Sequence, residues 1–218
     1  MSEIYDRLDG TYQKIHNLYL AFSLQPKPLL AADRHFRDVM HNPDNQLSMW
    51  FLELLASQVA IIAECHYALT HHGANFKHLL GDEQLGESML QAVREDNFVD
   101  NSLFTPKHAA LLVFGAKLSR CPQDMTGEDI ESLRQVGVTD TEILEAVQAT
   151  SCFAYWVRFI NALGIKSVMN DFIEDADSSP RCRSSDTTTS SEVTVLPLWN
   201  VTPSRNVKIH SEGSAPGS

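Results

Sequence analysis

Residues 48–63 constrain the fold more than any other stretch of this chain. They read Ser-Met-Trp-Phe-Leu-Glu-Leu-Leu-Ala-Ser-Gln-Val-Ala-Ile-Ile-Ala. At 3.6 residues per turn that is about four turns of helix, apolar nearly all round. A helix without a polar face has to be enclosed by other elements. The single carboxylate inside it, Glu53, is costly to bury unless it is paired or put to use. The segment therefore predicts a central buried helix with neighbours on every side.

The neighbours are legible from helical periodicity and from caps. Ile4, Leu8, Tyr12, Ile15, Tyr19 and Phe22 recur at steps of four or three, the stripe of an amphipathic helix. Pro26 and Pro28 are expected to break it, with a second helix over residues 29–40 ending at the turn cluster 41–45. After Cys65 the pattern predicts a helix through His78, stopped by Gly81. Thr105-Pro106 reads as an N-cap followed by proline at the first helical position, opening a helix through Leu118 that Cys121-Pro122 closes. A short helix follows over residues 126–137. Thr139-Asp140-Thr141-Glu142 is a capping box for a long helix to Leu163, with Gly164 as its stop. No segment alternates like a strand, so the fold class is all-α. Residues 1–173 form the expected helical domain. Residues 174–218 are a Ser/Thr-rich tail that cannot build a core and is expected to be disordered, with one apolar island at residues 193–199.

Composition excludes several function classes. With 28 acidic and 17 basic residues the formal net charge is −11, a field that repels a phosphate backbone, so nucleic acid is not an expected partner. The longest apolar run, residues 147–163, is interrupted by Gln148, Arg158 and Asn161 and does not read as a membrane span. The first residues lack a basic stretch followed by an apolar run, so a cytoplasmic location is expected. Cys65, Cys121, Cys152 and Cys182 include no pair at CxxC spacing, neither a disulfide framework nor a zinc set. A His66/His71 metal site lacks the i, i+4 spacing and the supporting carboxylates, so no metal is expected. The chain has no glycine-rich phosphate loop, and no cofactor is expected.

The chemistry-bearing stretch runs from Glu53 to Gly73 (ELLASQVAIIAECHYALTHHG). Cys65 and His72 are two helical turns apart, on one face of a continuous helix. Thiol, imidazole and carboxylate could form a proton relay in which His72 takes a proton and Glu53 orients the ring. The plainer alternatives are a structural Glu–His pair and a core cysteine. Tyr67 and His71 are candidate binding residues, Tyr67 by hydrogen bonding or by packing. Adjacent histidines point to different faces, so His71 is expected at the surface if His72 faces inward. Glu53 and His72 would lie about 100° out of phase on one unbroken helix, so they converge only if the helix breaks near residues 63–65.

This stretch resembles the signature of the AhpD-like / carboxymuconolactone decarboxylase family: a Glu, a C-x-x-C beginning twelve residues on, and a His four beyond the second Cys. Glu53, Cys65 and His72 match the Glu, the first Cys and the His. His71-His72-Gly73-Ala74 is similar to the peroxidase-related branch, and so are residues 18–30, 40–43, 104–112, 130–137, 140–147 and 153–164. The likeness spans about residues 10–166 in order. It implies a multi-helix bundle that assembles as a homo-oligomer and an alkylhydroperoxidase-like oxidoreductase acting on organic hydroperoxides. Ala68 stands where the family has its second cysteine, which in redox members is understood to attack the peroxide while the first resolves it. No disulfide can therefore form between these two positions. Three readings follow. Cys65 acts as a one-cysteine peroxidase with an external thiol reductant. Alternatively, Glu53 and His72 perform non-redox acid–base chemistry on a small carbon acid or lactone, as the resemblance to decarboxylase members without the cysteine pair implies. In the third reading the chain is catalytically silent.

Overall fold

The computed structural model describes residues 17–22, 24–99 and 101–166. The expected first helix before Asn17, the 174–218 tail and its apolar island lie outside the described residues. Within them the regular structure is helical throughout: α1 (Asn17–Leu20), α2 (Pro26–Met40), α3 (Met49–Ile62), α4 (His66–Leu80), α5 (Glu83–Arg94), α6 (Pro106–Arg120), α7 (Gly127–Gln135) and α8 (Asp140–Leu163), with one 3-10 turn at Pro122–Asp124. This is the all-α fold that the sequence predicts. No helix among the described residues is long and apolar enough to cross a membrane.

α3 is the buried centre. Phe51, Leu52, Leu54, Leu55, Ala56, Val59 and Ala60 are all inaccessible or nearly so, and α2, α4, α5, α6 and α8 pack around them. Caps set most of the boundaries. Thr105 accepts the His108 amide at the start of α6, and the reciprocal Thr139–Glu142 box opens α8. Gly164, in the left-handed region at φ 61°, ends it.

Two elements differ from the sequence reading. α2 begins at Pro26 rather than at residue 29, because the first helical amides have no intrahelical acceptor and a proline there loses no bond. α5 was not anticipated. Asp82 caps it by accepting the Leu85 amide at 2.9 Å, and Met89, Leu90 and Val93 form its buried stripe. Gly86 in its first turns masks that stripe in the sequence. A Cβ at Gly86 would lie 2.7 Å from Lys77 Cγ and 3.4 Å from Lys77 Cα, so the glycine serves the close approach of α4 and α5.

The entry to α3 is fixed from a distance. The two carboxylate oxygens of Glu145, on α8, accept the Gln46 and Leu47 amides at 2.8 Å each. Both amides precede the N-cap of α3 and have no helical acceptor of their own. Glu145→Ala removes a buried double acceptor and strands a buried donor at Leu47. A loss of about 2–4 kcal/mol in unfolding free energy is expected, measurable by chemical denaturation against wild type. A change below about 0.5 kcal/mol, the size typical of surface substitutions, would show that the turn holds itself.

Candidate active site

The site is built by the joint between α3 and α4. α3 ends with its C-cap at Ala63, and Glu64 adopts a left-handed conformation at φ 51°. The Cys65 amide donates back to the Ala60 carbonyl at 2.8 Å and the Glu64 amide to Ile61 at 3.1 Å. These are the two bonds of a Schellman motif, here with glutamate rather than glycine at the left-handed position. From α8, Asn161 donates its side-chain amide to the Ala63 carbonyl at 2.8 Å and pins the joint to the core. The chain then returns along α3 as α4. Residues nearly equidistant from the joint face each other, Trp50 against Phe76 at 6.2 Å and Glu53 against His72.

Glu53 Oε2 lies 2.7 Å from His72 Nδ1, with the Glu53 side chain 2% exposed and that of His72 17%. An ionised carboxylate can only accept, so against one the Nδ1 nitrogen is the donor. That leaves Nε2 as the basic nitrogen, the arrangement of an oriented general base. Two phenyl rings flank the imidazole edge-on: Phe153 of α8 at 4.5 Å and Phe36 of α2 at 6.2 Å.

Cys65 sits at the joint itself. It is not on α4 but at its N-cap, and it is 1% exposed. Burial pushes its pKa up, and the amides of Ala68 and Tyr67 at the start of α4 offset this only in part. Cys65 stands immediately before the first helical residue of α4, its carbonyl accepting the Leu69 amide at 3.0 Å, and His72 lies two turns further along that helix. Ala68, by contrast, is one turn before His72 on the same face and is buried.

Tyr67 and His71 are one turn apart on a neighbouring face, with ring centroids 4.6 Å apart. Tyr67 is buried and its hydroxyl is pushed up to about 12, chiefly by burial and further by the nearby Cys65, against a backbone hydrogen bond with Leu18. His71 is half-buried against Tyr67 rather than at the surface. Tyr67 both packs against the His71 ring and hydrogen-bonds the Leu18 backbone. Phe36 was not singled out in the sequence. It has no signal there beyond its place on a helix, because its relation to His72 exists only across packed elements. No group of three or more metal-ligating side chains converges among the described residues.

No protein-family model and no curated protein matches the chain. Solved structures do. An uncharacterized peroxidase-related protein from Silicibacter sp. TM1040 is 26% identical, with a TM-score of 0.65 over 76% of this chain and 83% of that one. The alkylhydroperoxidase AhpD core of an uncharacterized peroxidase-related protein from Ralstonia eutropha JMP134 is 21% identical, with a TM-score of 0.67 over 78% and 87%. A protein of unknown function from Agrobacterium tumefaciens, proposed as the antioxidant defence protein AhpD, is 18% identical, with a TM-score of 0.58 over 67% and 94%. The last two show the shared fold, and the first adds sequence likeness over most of the chain. In fold, and over most of the chain in sequence, this protein is similar to AhpD-like, peroxidase-related proteins.

Proposed function

We propose that this alkylhydroperoxidase-like chain works as a non-thiol acid–base enzyme, with His72 Nε2 as the proton-transferring atom and Glu53 as the residue that orients and stabilises the imidazole. The observation that carries the reading is the 2.7 Å bond between a buried carboxylate and Nδ1, beside a thiol that burial disfavours as thiolate. A general base near neutral pH needs no metal and no thiol, only a substrate C–H or O–H brought to Nε2. The flanking phenyl rings suit a small carbon acid or lactone with an apolar body. Glu53 stabilises the imidazolium formed when the proton is taken, and Nε2 returns a proton to the product after exchanging with solvent.

A second reading is favoured by the peroxidase-related neighbours: Cys65 as a one-cysteine thiol peroxidase. The thiolate would attack the terminal oxygen of a hydroperoxide, releasing an alcohol and leaving a sulfenic acid. An external thiol would then condense with it, losing water, to give a mixed disulfide, and a second external thiol would release the Cys65 thiol as the external disulfide. One pair of measurements separates the two. A panel of small carbon acids and lactones in D2O, followed by NMR, should show enzyme-dependent exchange of the proton next to the carbonyl. Hydroperoxide with a sulfenic-acid trap should leave Cys65 unlabelled. Trapping at Cys65 with no exchange on any panel member would overturn the acid–base reading, and neither signal would leave a silent member.

A further inference from the structure

The approach to His72 is narrower than its exposure suggests. Glu53 and the α3 core close one side of the ring, and Phe153 stands edge-on 4.5 Å from another. On the α2 side lies Phe36, half-buried, whose ring meets three others edge-on: His72 at 6.2 Å, Phe153 at 6.0 Å and His41 at 5.5 Å. His41 belongs to the far side of Phe36. With Arg37, Asp38, Asn42 and Pro43 it lines a cavity of about 440 Å³ at the C-terminal end of α2. Phe36 does not itself line that cavity: its ring lies between His72 and His41, so His41 and Phe36 stand in series between the cavity and the imidazole. Edge-on rings present a thin profile and turn about a side chain with only two torsions, so a rotamer change at Phe36 changes the opening without moving the backbone.

We propose that Phe36 controls access to His72: ligands enter from the cavity at the end of α2, pass the Phe36 ring, and lodge an apolar portion between Phe36 and Phe153 with the reacting group at Nε2. The occupant is a small molecule whose polar or charged end remains in the cavity beside Arg37 and His41 while its apolar part reaches the rings. The nature of that occupant rests on the acid–base reading. The route itself rests on the geometry alone.

The test reads access without turnover. Diethyl pyrocarbonate is a small uncharged electrophile that acylates neutral imidazole, and peptide mass spectrometry gives a rate for each histidine. His66, exposed on the same helix, is the internal reference. Relative to His66, labelling of His72 should rise about tenfold in Phe36→Ala, equivalent to about 1.4 kcal/mol of barrier. It should rise less in Phe36→Leu and fall below wild type in Phe36→Trp. If Phe36→Ala fails to fold, the opposed Leu and Trp substitutions still decide. Equal ratios across the series, a parallel rise at His66 and His72, or no labelling of His72 in any variant would each overturn the route. Because labelling needs no catalysis, a failure of the acid–base reading leaves this series free to succeed, and the reverse holds as well.

Discussion

His72→Ala and Glu53→Gln should each lower turnover by about two to four orders of magnitude, whereas Cys65→Ser leaves it within about twofold. Removing the imidazole removes the proton carrier outright. Glutamine at position 53 is nearly isosteric but can donate to Nδ1, which favours the tautomer with its proton on Nε2 and so occupies the nitrogen that must act as base. The loss should therefore appear in kcat with circular dichroism unchanged, and rescue is expected from Glu53→Asp only if the shorter arm still reaches Nδ1. Cys65 is 1% exposed with its pKa raised by burial, and serine there changes a packed atom rather than a reacting one. The inverted ranking, with Cys65→Ser inactive and the pair variants merely slowed, would identify the thiol as nucleophile.

Ala68→Cys is the second large effect, a gain rather than a loss. Position 68 lies in the first turn of α4, three residues after the N-cap Cys65 and one turn before His72. A thiol there would stand on the His72 face, and Cys65 and Cys at 68 would recreate the C-x-x-C spacing that the resemblance implies. In the restored chemistry the new thiolate attacks a hydroperoxide and becomes a sulfenic acid as the alcohol leaves. The Cys65 sulfur then displaces water to give a disulfide, which an external dithiol reduces. The expected result is an intramolecular disulfide seen by mass spectrometry after mild oxidation, and dithiol-dependent peroxidase activity that wild type lacks. Ala68 is 2% exposed, so the added sulfur costs packing, of the order of 1–3 kcal/mol, and thermal melting should register it. A folded variant that forms no disulfide and consumes no peroxide would mean that the pocket has diverged beyond one residue, and the thiol-peroxidase reading would fall with it.

Local signals in the sequence decided most of the helices. Thr105-Pro106, the Thr139 box and Gly164 act within one turn of chain, and the structure places boundaries at each of them. The near-absence of a polar face over residues 49–62 likewise determined that α3 would be central, since burial follows from composition when every side is apolar. The pairing of Glu53 with His72 was partly legible: the two residues and the need for a break between them could be read from the phase of a helix. The break itself has no sequence marker. Glu64 takes a left-handed conformation that usually calls for glycine, and it is held there by two backbone bonds and by Asn161, which arrives from a helix nearly a hundred residues later. α5 was hidden for a related reason, because Gly86 answers to its neighbour Lys77 and not to its own helix. Only the tertiary structure could decide that Cys65 is sealed rather than open and that Phe36 stands before His72. Exposure and ring-to-ring distance belong to pairs of elements, and the sequence specifies those pairs only through the packing they finally share.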